Sequence, residues 1–536
     1  MRAETIIVLE AGGDRTKGKI LSLARFNRLF NGIPRTLRVL FVLLTSMLLL
    51  YAMLTLFAVR LLSQIESAKN VLSASPGANV SGLLLEITDA AGKKKDLPPH
   101  FPGPQNERQR AVVNSFLHAW NGYKAFAWGK DELDPVNNKS HSWFNMQLTL
   151  IESLDTLLIM GLKEEFLQAR EEVARGFSAD VDKYFSLFEV TIRILGGLLS
   201  AFYLSKDELF LQKARMLGDR LLPAFSTRSG LPLAEINPHR RKGRPYPWTS
   251  AFSLAELGTL QLEFRSLSRA VGNPAYEEAS FAVSVKLHKL GNESAYPGLL
   301  PADIHDNNGI GANFDYGTYS VGARADSYYE YLLKQWLQTG KTIDWLKDDF
   351  AQAMQAMLEH LALPSKDGKM LFLGEFIHQT FKPTMEHLTC FVAASLALAA
   401  DNGFGHQLLR DAERVGAACR HITHSDAAEV TSPTYCLLRP EAVEAWFYLY
   451  RMTNDTKYQD WGWKMFLAIE QHARTPSGYC SVEDVNQVPP TCKHKMESFL
   501  LSETFKYLYL LFDDSHSLLS LKEYVFNTEA HPLPIL

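Results

Sequence analysis

The chain has 536 residues, 46% hydrophobic, 21% charged and 11% aromatic, a globular composition that argues against a disordered, collagen-like or multi-span membrane protein. Its 55 basic and 59 acidic residues leave a formal net charge of -4, so no nucleic-acid partner is expected. Five cysteines are too few for a disulfide scaffold, yet enough for one or two bridges in an oxidising compartment.

The first element in chain order is an uncharged run, Val39 to Val59, bounded by Arg38 and Arg60. As a helix it would be roughly 31 Å long, enough to cross a bilayer core, and Arg60-Leu-Leu-Ser-Gln is a poor cleavage site, so a retained anchor is expected. Arg15, Lys17, Lys19, Arg25, Arg28, Arg35 and Arg38 precede the run, whereas only Arg60 and Lys69 closely follow it. The positive-inside rule then predicts a single-pass type II protein, with residues 1–38 cytosolic, 39–59 in the membrane and the rest lumenal. Residues 60–107 carry Ser-Pro-Gly and Pro-Pro-His-Phe-Pro-Gly-Pro without periodicity and read as a stem. Asn79, Asn138, Asn292 and Asn454 head glycosylation sequons beyond the run, which supports the topology weakly.

Residues 108–536 read as one helical system. Seven apolar helical segments start near Thr149, Ser186, Trp248, Arg324, Met385, Arg439 and Lys495. Several are followed by a tight polar turn and a more amphipathic helix with an early aromatic: Ser-Lys-Asp-Glu-Leu-Phe, Val-Gly-Asn-Pro-Ala-Tyr, Thr-Gly-Lys-Thr-Ile-Asp-Trp and Thr-Asn-Asp-Thr-Lys-Tyr. An inner helix apolar on most sides and an outer helix with one wet face is what a closed ring of hairpins requires, and seven hairpins predict an all-α (α/α)7 barrel. An open solenoid is the alternative.

Isolated charges inside these apolar segments mark a site. Between Tyr184 and Ser205 the only charged residues are Glu189 and Arg193, four apart and so on one helix face, where they suit a half-buried pair lining a polar cavity better than a surface ion pair. Glu256, Asp326, Glu441 and Glu503 repeat the device. Singly, each could be a cap or a paired carboxylate. Together, in the inner helices of a ring, they would converge on its axis. Glu441 follows Pro440, which suits the first helical position, so its carboxylate would sit in the first turn, where the helix dipole favours the anion needed by a general base. Glu189, beside Phe188, is a candidate proton donor if desolvation outweighs Arg193. Carboxylates, arginines and aromatics around a cavity suit a carbohydrate, and glycoside hydrolysis is the natural chemistry. The tail, Val-Phe-Asn-Thr-Glu-Ala-His-Pro-Leu-Pro-Ile before Leu536, lacks periodicity but is apolar, and is expected to plug something.

Several long motifs carry a resemblance: His118-Ala-Trp-Asn-Gly-Tyr123, Glu152-Ser-Leu-Asp-Thr156, Phe188-Glu-Val-Thr-Ile-Arg-Ile-Leu-Gly-Gly197, Gly322-Ala-Arg-Ala-Asp-Ser-Tyr328, Leu438-Arg-Pro-Glu441 and Phe526-Asn-Thr-Glu-Ala-His-Pro532. In this order they resemble glycoside hydrolase family 47, the class I α-mannosidases that trim α-1,2-linked mannose from N-glycans. The resemblance implies an (α/α)7 barrel closed by a β-hairpin near residues 476 to 494, and an inverting, Ca²⁺-dependent hydrolase of high-mannose N-glycans. It implies Glu189 as the acid, acting directly or through water, Glu441 as the base and Asp326 as a third essential carboxylate. Thr528 would hold Ca²⁺ through its hydroxyl and main-chain carbonyl, with waters held by neighbouring carboxylates, an all-oxygen shell suited to that ion. Arg193, Glu256, His387, Arg439, Phe499, Glu503 and Glu529 match positions that contact the terminal mannose or the calcium waters, with Phe499 stacked on the sugar.

Arg324 matches the endoplasmic reticulum type of the family, which removes mainly one mannose from the middle branch of the nine-mannose glycan, where the Golgi type has leucine. The implied residence is therefore the endoplasmic reticulum membrane, with the Golgi as the alternative. In place of the family's Pro-Glu loop stands His424-Ser-Asp-Ala-Ala-Glu-Val430, with Glu429 the nearest equivalent carboxylate. Cys390 and Cys419 match the family disulfide, Cys480 and Cys492 are candidates for a second bridge, and Cys436 is left over as a packed thiol. Two other functions compete: a Golgi-type mannosidase of broader trimming, and a quality-control glycan-binding lectin with little catalysis.

Overall fold

The computed structural model describes residues 101–536 except 295, 307–309, 313, 315 and 425–434. The expected cytosolic tail, membrane helix and most of the stem, with Asn79 and Glu429, lie outside the described residues.

The described chain is mostly helical, as expected. Its most buried helices are α1 (Leu154–Ile159), α2 (Gly196–Ser205), α3 (Gln261–Val271), α4 (Asp326–Gln338), α5 (Phe391–Ala399), α6 (Glu441–Thr453) and α7 (Phe505–Leu511). Each packs against the next in this order, and the π-turn Leu500–Thr504 that leads into α7 packs back on α1. Every one also packs against a second, wetter helix; Lys163–Gly176 pairs with α1 and buries only Phe166, Ala169 and Val173, one stripe at helical spacing. In α4, by contrast, every residue from Ser327 to Gln338 is buried. Leu187–Ser205 is apolar and long enough to cross a membrane, but 72% of its most apolar window is buried, as befits a core segment.

The four polar turns read in the sequence do lead into outer helices, which begin at Glu208, Ala275, Asp344 and Lys457. Each turn uses a left-handed residue: Lys206, Gly272, Gly340 and Asn454 have φ of 56°, 68°, 63° and 56°. Such a residue ends one helix and frees the chain to reverse. The segment expected to start near Trp248 becomes helical only at Leu254, because Ala251–Ser253 pairs as a strand with Asp303–Asp306 and Ser253 then caps the helix. Likewise α4 begins at Asp326, two residues after Arg324.

The hairpin expected at residues 476 to 494 forms in short pieces: Arg474–Thr475 pairs with Gly478–Tyr479, and residues 481–483 are hydrogen-bonded antiparallel to residues 491–493, with Val482 bridging Cys492 on one side and Cys436 on the other. Pro489 and Pro490 have no N–H to continue a ladder. The hairpin that enters the ring of buried helices is the C-terminal tail: β1 (Tyr524–Phe526) pairs with β2 (Pro532–Pro534), Val525 opposite Leu533. Its two prolines are tolerated because the sheet has only two strands.

The turn of this hairpin is tied to the surrounding helices. On its first side, Asn527 Nδ2 donates to Ile192 O and to Glu263 Oε1, both at 2.8 Å. Farther along, Lys506 Nζ donates to Ala530 O at 2.6 Å and His531 Nδ1 lies 2.7 Å from Asp155 Oδ2. Lys506 also meets Asp155 at 2.9 Å, and all three side chains of this Asp155, Lys506 and His531 cluster are fully buried. Removing one member would strand the others' charge away from water. Both disulfides form, Cys390 with Cys419 and Cys480 with Cys492, and Cys436 is free.

Candidate active site

The site is built around Arg193. A π-turn, Val190–Leu195, carries it within the apolar segment between Glu189 and α2. Its Nε donates to Glu189 Oε2 at 2.6 Å, its Nη1 to Glu152 Oε1 at 3.2 Å, and its two terminal nitrogens grip both oxygens of Glu529 at 2.9 Å. The expected i,i+4 pair is present and half-buried, with Glu189 30% and Arg193 13% exposed. Burial opposes the guanidinium's charge, but Glu529, Glu189 and Glu152 outweigh it and hold Arg193 well above its ordinary range.

Phe499 lies between two cations: the Arg193 guanidinium is 5.9 Å and the Arg439 guanidinium 5.8 Å from its ring centre. Arg439 Nη1 is also 3.7 Å from Glu441 Oε1, and His387 Nδ1 is 2.8 Å from Glu441 Oε2. Glu441 is the first residue of α6, with Pro440 as the cap, so its carboxylate is in the first turn. Burial works to raise the Glu441 carboxyl, yet the His387 hydrogen bond and the charges of His387 and Arg439 hold it below the usual glutamate range.

Asp326 opens α4 and accepts from the Ser327 amide at 2.8 Å. Burial nonetheless pushes it up to about 7, and the charges of Glu330 and Glu441 add to the rise. Two buried carboxyls that sense each other therefore have opposite biases, Glu441 toward the anion and Asp326 toward the acid. Glu256 is raised by burial despite the 2.6 Å hydrogen bond from Tyr246 Oη, and it lies within the field of Arg324 and Glu189. Arg324 pairs with Asp303 and is half exposed. Both Arg324 (φ 76°) and Leu438 (φ 60°) take left-handed backbone just before Asp326 and Glu441, an unusual conformation for residues with side chains and one found where a site dictates geometry.

The tail adds oxygen donors. Glu503 and Glu529 share a hydrogen bond; burial and the charges of Glu529 and Glu441 raise Glu503 well above its usual value, and burial takes Glu529 to about 8 against the pull of Arg193. Thr528 sits between Asn527 and Glu529, and its N–H reaches Tyr331 Oη at 3.4 Å. Two buried carboxylate oxygens, Glu152 Oε2 on the partner of Arg193 and Glu263 Oε2 on the partner of Asn527, have no hydrogen-bond partner among the described residues. Among the described residues no group of three His, Cys, Asp or Glu is arranged to grip a metal directly. The surplus of buried carboxylate over cation, with every donor an oxygen, fits a hard cation held largely through water.

Of the predicted site residues, Glu189, Arg193, Glu503 and Glu529 are joined by hydrogen bonds and ion pairs, His387 and Arg439 hold Glu441, Phe499 faces both arginines, Thr528 meets Tyr331, and Asp326, Glu256 and Arg324 are tied to this cluster through charge. Sequence reading missed Glu152, Glu263, Tyr246, Tyr331 and Asn527 as members. Glu152 and Asn527 stood inside quoted motifs, and Glu263, fully buried in α3, was hidden by that helix's mixed polar pattern. A buried Glu330, Lys334 and Glu444 cluster backs Asp326 and Glu441 from α4 and α6. A cavity of about 300 Å³, lined mainly by apolar side chains such as Met465, Ile469 and Val482, adjoins His387, Arg439 and the Cys436 thiol.

The sequence matches Glycosyl hydrolase family 47 over residues 115–434 and 423–535. It is 44% identical over 457 residues to the mouse (Mus musculus) endoplasmic reticulum mannosyl-oligosaccharide 1,2-alpha-mannosidase, covering 81% of this chain and 69% of that protein. It is 38% identical to the human (Homo sapiens) mannosyl-oligosaccharide 1,2-alpha-mannosidase IB, covering 80% and 70% respectively. The alpha-1,2-mannosidase from Trichoderma reesei superposes with a TM-score of 0.74 at 28% identity, covering 81% of this chain and all of that one.

Proposed function

Because the chain belongs to glycosyl hydrolase family 47 and is therefore a glycosidase, we propose that it is an inverting exo-α-1,2-mannosidase that trims high-mannose N-glycans. The relatives named for this activity and the site's carboxylate cluster support the reading. The ring of paired helices around the C-terminal hairpin supports an (α/α)7 barrel.

The observation that carries the mechanism is the opposite bias of Glu441 and Asp326. Inversion needs one carboxylate to take a proton from water and another carboxyl to give one to the leaving oxygen, and environments that pull two pKa values apart assign these roles. Glu441, held anionic, is the base, and His387 orients it. Asp326 and Glu189 supply the proton side: Asp326 carries a proton into the neutral range, and Glu189 delivers one directly or through a water. Phe499 stacks on the terminal mannose, while Arg193, Arg439, Glu256, Glu503 and Glu529 bind its hydroxyls or the waters beside them.

Thr528 would hold Ca²⁺ by its hydroxyl and carbonyl, with Glu152, Glu263, Glu503 and Glu529 holding the remaining water ligands. When bound, the ion would polarise and position water and sugar hydroxyls. The 43–44% identity to endoplasmic reticulum mannosidases and the presence of Arg324 favour that compartment and removal of one middle-branch mannose over Golgi-type trimming. The expected membrane anchor at residues 39–59 would hold the enzyme there, facing the lumen.

The test is to follow a nine-mannose glycan by proton NMR. Release of mannose first as the β-anomer supports inversion at an α-linkage, the α-anomer overturns it, and glycan binding without turnover would favour the lectin reading.

A further inference from the structure

We infer that Asn527 is the positioning residue that sets Thr528 and Glu529 in place for the cation, an inference that rests on the calcium reading above. Asn527 is fully buried, and its amide makes four hydrogen bonds, two within the turn and two out to the flanking helices. Its Nδ2 donates to Ile192 O and Glu263 Oε1, each at 2.8 Å. Its Oδ1 accepts from Glu529 N at 3.0 Å and from His531 N at 2.8 Å. Only one orientation of the amide satisfies these partners, since a flipped group would turn its oxygen toward a carbonyl and a carboxylate.

The helix opposite is shaped to receive it. Ile192 lies in the π-turn, where the wider winding opens a carbonyl to a partner outside the helix. A Cβ on Gly196 would come 2.7 Å from Asn527 Nδ2, so glycine is needed there for the amide to dock. Glu263 Oε1 also accepts from Tyr331 Oη at 2.6 Å, and Tyr331 in turn meets Thr528 N. One amide thereby links the Arg193 helix, the Glu263 helix and both sides of Thr528. Losing it would leave the turn attached at Glu529 and His531 without fixing where the Thr528 oxygens point.

The test titrates Ca²⁺ alone into chelator-stripped full-length protein by calorimetry, with melting curves in parallel. In Asn527→Asp the Oδ1 acceptor remains while the donor to Glu263 is replaced by an oxygen, and the dissociation constant for Ca²⁺ is expected to rise about 10- to 100-fold, as for other residues that orient a metal's ligands. Gly196→Ala, which leaves Asn527 itself unchanged, is expected to weaken binding in the same direction and serves if Asn527→Asp does not fold. Leu533→Ala, a buried truncation on β2, is expected to lower the melting temperature and leave the Ca²⁺ constant unchanged. Parent-like Ca²⁺ affinity in Asn527→Asp or, where that does not fold, in Gly196→Ala overturns the assignment alone, as does equal weakening in Leu533→Ala. No Ca²⁺ binding by the parent overturns the calcium reading and this assignment with it.

Discussion

His387 Nδ1 stands 2.8 Å from Glu441 Oε2, a hydrogen bond between residues 54 positions apart that joins the entry to α5 with the first turn of α6. This bond, with Arg439 nearby, offsets the penalty of burying Glu441 and keeps it in the form a base requires.

Replacing Glu441, the proposed base, should remove the chemistry and spare binding. Glu441→Gln is expected to lower kcat by roughly 10²- to 10⁴-fold, the usual contribution of a general base, with glycan affinity retained. His387→Ala is expected to be milder and to move the acid limb of kcat/KM to higher pH, because Glu441 loses the partner that lowers it. An unmoved limb would show that His387 does not set the base.

Between those two groups the pH profile should be bell-shaped. Activity is expected to fall at acid pH, below the ordinary glutamate range, as Glu441 protonates, and to fall at alkaline pH around 7 as Asp326 loses its proton. The stability sign runs the same way for Asp326. Its folded pKa lies above the unfolded value, so between about 4 and 7 the unfolded chain releases this proton while the folded protein keeps it, and stability falls across that range before levelling off. Asp326→Asn should therefore raise the melting temperature at pH 8 relative to the parent and change it less near pH 4, while reducing activity at both.

Chelation should be reversible. EDTA is expected to abolish mannose release and lower the melting temperature, and added Ca²⁺ to restore both. Full activity in excess chelator would remove Thr528 from the site's chemistry.

Arg324 tests specificity. It is half exposed, within the field of Glu256, and placed by a left-handed backbone at the edge of the cluster. Arg324→Leu is expected to broaden trimming toward smaller glycans at unchanged stability, as read by mass spectrometry of products. A product pattern identical to the parent's would place branch selection elsewhere.

The Cys390–Cys419 bridge spans 29 residues and packs in the core at the start of α5. In the chain-entropy treatment a loop of this length contributes about 3.5 kcal/mol, so a Cys390→Ala and Cys419→Ala double variant should melt several degrees lower. Losing only the 480–492 bridge, which closes a loop of 12, should cost less.

The linear sequence by itself determined the helical hairpins, because apolar periodicity and turn chemistry act over a few residues. The Glu189 and Arg193 pair was legible for the same reason, four residues being one helical turn. Isolated carboxylates in apolar helices marked the cluster, and the order of motifs identified the family. Tertiary structure alone decided the opposite biases of two carboxyls: Glu441 and Asp326 both stand at the start of buried helices, and they differ in what is folded against them. It also decided what the tail does. Asn-Thr-Glu has no periodic signal, and its meaning depends on Arg193, 336 positions from Glu529, and on a carbonyl that a π-turn opens to Asn527. Burial and long-range charge are properties of the packed chain, so no local pattern encodes them.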